Sequence, residues 1–296
     1  MALIIKRGNH QSNEKLRRDI IHLILTAYSV ICVLPFLLVI SGSFSSEAGI
    51  AKSGYTLVPS EFSTSAYSYI LKDPTQIIKA YGVSLSVTIV GSLLGLLFMS
   101  MLAFVLSRPQ FKYRKALSFY VFFTMFFNGG LVPWYILIVR YLHLKDTFLI
   151  LFLPLLIIPW YVLILRTSFA QLPEELLEAA RLDGASEWRI FHQIVVPLST
   201  PVLATVGLFC VLTFWNDWWL ALLFINNRDL VPLQYLLHEI TVNINFMAAN
   251  PQTTGITMPV LPVRMAMAVL AIGPIALIFP LVQRYFVRGI TLGALK

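Results

Sequence analysis

Six long apolar runs, at 20–44, 80–106, 116–140, 147–167, 197–225 and 262–286, divide the chain, and polar segments separate them. An α-helix rises about 1.5 Å per residue, so roughly 17–25 apolar residues cross about 30 Å of hydrocarbon. Each run meets that length. Backbone polar groups find no water there, so the runs predict helices rather than open strands. Pro35, Pro133, Pro154, Pro159, Pro274 and Pro280 fall inside them. Kinks and local unwinding are expected at these prolines, and membrane helices tolerate them when neighbours satisfy the freed groups. The pattern predicts an all-α, polytopic membrane protein. Residues 1–19 form a polar tail and 20–296 one six-helix domain. Lys15, Arg17 and Arg18 before the first run would also suit a cleaved signal peptide. That run exceeds an ordinary signal core, however, and five more follow, so a retained span is expected.

Composition agrees. The 296 residues are 58% hydrophobic and 12% charged, with a mean hydropathy of +0.78, against about a quarter charged residues in soluble domains. The formal charge of +8 is distributed by topology. Fifteen Lys and Arg lie in the N-terminal tail, 107–115, 166–196 and the C-terminal tail, and seven in the alternate loops. The positive-inside rule then puts both termini and 166–196 in the cytoplasm. No aromatic–basic motif supports nucleic-acid binding. Cys32 and Cys210 sit within apolar runs without metal or disulfide spacing and are expected to pack.

Two outer loops are long, 45–79 and 226–261. The first has room for a short amphipathic piece at Ala66–Leu71. The second contains NINFMAANPQTTGITMP, whose Asn, Thr, Gly and Pro residues predict an irregular loop. The cytoplasmic segment 172–196 is charged, and its local signals predict two short helices. Pro173 suits a first helical turn, and Glu174 and Glu175 suit the positive end of the helix dipole. Glu178 and Arg181 lie three apart on one face. Gly184 fits the left-handed position that ends a helix. Ser186 can cap a second helix from Glu187 to about Val195, before Pro197 opens the fifth span. Such a hairpin either connects two spans or serves as a docking lever.

The stretch EAARLDGASEWRIFHQIVVPLSTP, Glu178 to Pro201, resembles the "EAA" signature of permease subunits in binding-protein-dependent ABC importers. The matching positions are Glu178, Ala179, Ala180, Asp183, Gly184, Ala185, Phe191, Ile194, Pro197, Leu198 and Pro201. FNGGLVPWYILIVRYLHLKDT, FWNDWWLALLFI, TGITMP and YFVRGITLGALK are similar to carbohydrate importers, especially those for complex oligosaccharides and polysaccharides of alginate or pectin type. The resemblance implies a type I ABC importer permease in a bacterial cytoplasmic (inner) membrane. It implies two ABC ATPase subunits, a homologous second permease in a heterodimer, and an extracytoplasmic solute-binding protein. Glu178, Ala179, Ala180, Asp183, Gly184 and Ala185 would meet the ATPase. Loop 226–261 would reach the binding protein through Asn243, Asn245, Asn250, Gln252 and Thr253, or remain a solvated loop.

No phosphate loop, metal-ligand cluster or nucleophile arrangement occurs in the sequence. No cofactor and no catalysis are therefore expected of this chain; ATP and Mg would be bound by the ATPase. Candidate pathway residues are Asn128, Trp134, Trp215, Asn216, Asp217 and Trp218. They combine aromatic faces with hydrogen-bonding groups. The first pair also suits helix packing, and the others an interfacial tryptophan belt. Arg140, Lys145 and Arg264 either favour an acidic sugar or anchor the interface. A secondary carrier would need buried coupling residues, an intramembrane enzyme paired acids or a nucleophile. Neither signal is visible, and a permease of this fold for a non-sugar solute remains the alternative.

Overall fold

The computed structural model describes the backbone of residues 2–249 and 259–293, and the side chains of 17–247, 249 and 259–276. Among the described residues the chain is helical, with one isolated bridge, Ser45 to Phe62. It forms two units, Met1–Lys72 with Asn243–Leu270, and Asp73–Val242 with Ala271–Lys296.

The first unit begins with α1 (Ala2–Ser43). Its apolar part, Arg17–Ser43, is 27 residues long; its most apolar 18-residue window has a mean hydropathy of 2.7 and buries nothing against the other described residues. An apolar helix that the described residues leave bare suits lipid or a neighbouring subunit. Its polar end is locked instead. The Ser41 hydroxyl donates to the Thr56 carbonyl at 2.7 Å, Ser43 bonds the Tyr67 hydroxyl at 2.9 Å, and the Phe44 ring packs on Phe62 and Tyr67. Two short helices follow, α2 (Glu47–Ser53), capped by Ser46, and α3 (Ser65–Ile70). The latter is the expected amphipathic piece, and it buries Ala66 and Ile70. Glu47 accepts the Leu261 N–H at 2.9 Å in the first turn of the last helix, Val260–Gly293, where a carboxylate is favoured by the helix dipole.

The second unit is organised around α4 (Pro74–Ser107), which Asp73 caps and Pro74 opens. After it come α5 (Arg114–Phe126) and α6 (Leu131–Ile136), the latter extended by a π turn at Leu137–Tyr141. Two 3₁₀ turns, Phe148–Leu151 and Leu153–Leu155, lead into α7 (Pro159–Phe169). The charged segment holds α8 (Glu174–Leu182) and α9 (Glu187–Ile190); a π turn joins α9 to α10 (Val196–Leu198). Then come α11 (Thr200–Asn216), α12 (Trp219–Phe224) and α13 (Leu233–Ala249), whose residues from Asn243 belong to the first unit; α14 is Val260–Gly293, of the first unit as far as Leu270. α4 turns a face of small residues, Ser84, Thr88, Gly91, Ser92, Gly95, Ser100 and Ala103, into the unit, where it packs against α11 and α7. Small residues are what let membrane helices approach closely.

The six expected spans are less regular than their apolar runs. Among the described residues, α1 and α4 are uninterrupted and long enough to cross; three others are bent pairs, by 112° at 127–130, 49° before Pro159, and 86° at Ser199. The first elbow is built by Asn128, whose Oδ1 accepts the Gly130 N–H at 2.8 Å, and by Gly130 at φ +91, a conformation open chiefly to glycine. The fifth expected span, 197–225, is corrected twice. The second helix of the charged segment runs on through a π turn to Leu198, and α11 stops at Asn216. Loop 226–261 also needs correction. Asn243 and Asn245 lie on α13, because Leu233, Leu236, Leu237 and Ile244 recur at helical spacing and are buried.

One tie joins two loops of the second unit. Asp146, at φ +56, accepts the N–H groups of Asn226 and Asn227 and donates its own to the Phe224 carbonyl at 3.0 Å. These backbone bonds hold its carboxyl below the usual carboxylate range. A depressed folded pKa contributes stability above the unfolded value of about 3.9 and loses it as pH falls through the folded value. The Asp146→Asn variant is therefore expected to melt below the parent at pH 7, by about 1 kcal/mol after discounting for exposure. The two melting temperatures should converge at acid pH, which thermal scans at both pH values will check.

Candidate functional site

The charged segment folds as its local chemistry dictates. Pro173 stands just outside α8, which starts at Glu174. At the other end the Gly184 N–H bonds the Arg181 carbonyl and the Ala185 N–H the Ala180 carbonyl, both at 3.0 Å, with Gly184 at φ +78. That pair of bonds is a Schellman turn. Ser186 then accepts the Arg189 N–H and starts α9. Arg181 pairs across the turn with Glu187 at 2.8 Å, rather than along its own helix with Glu178. Glu178, Ala179, Asp183 and Gly184 are exposed together at this turn, while Ala180 and Ala185 are half-buried. Leu177 is buried and anchors α8; Leu182 is 89% exposed. A large apolar side chain held out by a rigid turn suits a partner surface.

The segment is braced from the end of α4. Phe191 packs on Phe104 with ring centroids 5.3 Å apart, and Trp188 packs on Phe191. Gln110 donates to the Glu174 carboxylate. The Arg108 guanidinium lies 4.6 Å over the Phe104 ring. Burial lowers its pKa, and nearby Arg181 adds to the effect. Arg108 and Gln110 were legible only as loop residues and topology charges; nothing in the spacing linked them to Glu187.

The candidate pathway residues do not converge. Asn128 and Trp134 line a cavity of about 640 Å³ with Phe127, Gly130, Pro133 and Trp219. Among the described residues, no charged side chain lines it. Trp215 is buried at 1% exposure and donates its indole N–H to the Ala271 carbonyl at 2.9 Å. Asn216 bonds the Leu212 carbonyl of its own helix. Asp217 accepts the Leu220 N–H in the break between α11 and α12. Trp218 stacks on His238, with ring centroids 4.3 Å apart. Of this aromatic cluster, it is Trp219 that joins Asn128 and Trp134.

Of the outer-loop candidates, Asn243 is exposed and Asn245 accepts a hydrogen bond from Arg264. Asn250, Gln252 and Thr253 lie outside the described residues. Arg140 is exposed and Lys145 half-exposed, and neither lines the cavity.

Comparison with known proteins places this architecture. The chain is 38% identical to Protein LplC of Bacillus subtilis (strain 168) over 93% of its own length and 92% of the relative's. It is 36% identical to the polygalacturonan/rhamnogalacturonan transport system permease protein YtcP of the same organism, over 92% and 95%. A bacterial ABC transporter involved in the import of the acidic polysaccharide alginate has a chain that superposes with a TM-score of 0.76, at 27% identity, covering 93% of this chain and 98% of that one. Residues 89–292 match the family described as binding-protein-dependent transport system inner membrane component. That match spans the braced Schellman turn and the small-residue face of α4 from Gly91 onward, and the chain belongs to this family of inner-membrane transport components.

Proposed function

We propose that this chain is one of two homologous permease subunits of an ATP-driven importer for an oligosaccharide or polysaccharide, and that segment 174–198 is its contact with the ATPase. The observation that supports this most is the turn at Gly184. Two backbone bonds and the Arg181–Glu187 pair define it, it exposes Glu178, Ala179, Leu182 and Asp183, and helices stand on both sides of it. ATP hydrolysis and Mg binding belong to the ATPase subunits, and cargo arrives on a solute-binding protein. Both termini face the cytoplasm, in keeping with the excess of Lys and Arg on that side. Movement of the ATPase pair drives the turn, and the helices rock between inward and outward openings.

The cargo class rests on the relatives' substrates and on the cavity beside α6. Trp134 and Trp219 offer ring faces, and the Asn128 amide offers hydrogen bonds. An aromatic wall with one amide suits the hydroxyl-bearing face of a sugar ring. Trp219→Ala is expected to lower ATP-dependent uptake of a pectin- or alginate-derived oligosaccharide by about ten-fold, equivalent to about 1.4 kcal/mol. The melting temperature should hold, because Trp219 is 44% exposed. Parent-like uptake by this variant in proteoliposomes would remove the cavity from the pathway.

A further inference from the structure

Among the described residues, Arg108 braces the coupling segment with two polar atoms sealed but unsatisfied. Its Nε and Nη2 are both buried without a hydrogen-bond partner. These two atoms form one edge of the guanidinium, the edge that grips a carboxylate with two parallel bonds. Leaving that edge without a protein acceptor is costly, so a conformation that supplies one is favoured in proportion.

A cavity of about 270 Å³ opens beside it, lined by Phe104, Arg108, Gln110, Phe111, Arg181 and Glu187. Two carboxylates influence Arg108. Glu174 is engaged by Gln110 from the loop itself. Glu187 holds Arg181 through one oxygen, Oε1, and lies at the first turn of α9, directly after the Gly184 turn. Any rotation of α9 about that turn changes which arginine Glu187 faces.

We propose that Arg108 is a positioning residue of the coupling segment: Glu187 exchanges between Arg181, its partner in this structure, and Arg108, its partner when the segment moves. The exchange gives the lever two discrete seats instead of a continuous range. Arg108 touches neither cargo nor nucleotide and acts only through Glu187. This rests on the reading of 174–198 as the ATPase contact.

The test uses the assembled importer in proteoliposomes, with three variants at position 108. Arg108→Met keeps the stem on Phe104 and removes the sealed charge. Arg108→Lys keeps a charge without the fork. A packing role predicts that Met serves at least as well as Lys. The exchange predicts the reverse: Met melts at or above the parent temperature yet lowers maximal uptake about five-fold, and Lys recovers part of it. The Arg108→Gln, Glu187→Gln cycle completes the test. Each single change should lower uptake about five-fold, and the pair no further than Glu187→Gln alone. Multiplied losses, or Met outperforming Lys, would overturn the exchange. If the parent protein itself needs no ATPase, the underlying reading fails instead, and the parent control shows which has happened.

Discussion

Replacing Gly184 by Val should stop coupled uptake while leaving the subunit inserted in the membrane. Gly184 sits at φ +78, and a Cβ built there meets nothing within 4 Å. Crowding is therefore not the obstacle; backbone conformation is. An L-residue in the left-handed region costs roughly 1–2 kcal/mol, more when β-branched. That cost falls on a turn held by only two backbone bonds, Gly184 to Arg181 and Ala185 to Ala180. Val is expected to open the turn, move Leu182 and Asp183 off their places, and lower uptake about ten-fold or more. Gly184→Asn, which tolerates the left-handed region, should keep most activity. Uptake and ATPase rate in proteoliposomes, with subunit content measured by blot, will check both. Full activity in the Val variant would mean that the turn is only a connection.

The second large effect lies in the membrane core. Gly91 of α4 faces Phe214 of α11 so closely that an added Cβ would lie 2.8 Å from the ring. Phe214 is 3% exposed and has nowhere to go. Gly91→Ala should cost about 1–3 kcal/mol through overpacking, and Gly91→Leu should prevent assembly of the bundle. Gly82 is a built-in control, since a Cβ there meets nothing within 4 Å. Gly82→Ala should be neutral or slightly stabilising, because alanine favours helix by about 1 kcal/mol. Size-exclusion profiles and melting temperatures of the three variants will separate clash from propensity.

These contrasts explain what was legible in the sequence. The turn at Gly184 could be read because its determinants are local: Gly184 for a left-handed step, Ser186 for a cap, and Glu174 and Glu175 for a helix start. The small-residue face of α4 is written in its sequence too, but its partners α7 and α11 lie far along the chain. The elbow at 127–130 hid inside an apolar run, since helix and elbow have the same hydropathy. Only Asn128 and Gly130 carry the break. The stop at Asn216 had no Gly or Pro to announce it. α13 failed in the opposite way, because Asn243 and Asn245 suggested a loop while Leu233, Leu236, Leu237 and Ile244 set a helical period. Arg108 was hardest, for its meaning comes from Phe104 beneath it and Glu187, which is distant in sequence.

The same contrast separates the Gly184 turn from the aromatic cavity. The turn gathers Glu178, Ala179, Asp183 and Gly184, neighbours in sequence, on one exposed surface. The aromatic run from Trp215 to Trp219 is dispersed by the break after α11. Trp215 goes inward to Ala271, Trp218 to His238, and Trp219 to the cavity with Asn128. Adjacent positions were thus a good guide to a surface turn and a poor one to a cavity built from separate helices.

The central claim is that 174–198 is the handle through which an ATPase moves this subunit. Gentle purification from the native membrane, followed by identification of whatever accompanies the protein, tests it most directly. The account predicts an ABC ATPase and a second, homologous permease, both reduced when Gly184 is replaced by Val. A subunit that emerges alone, and still carries sugar into liposomes without ATP, would contradict it.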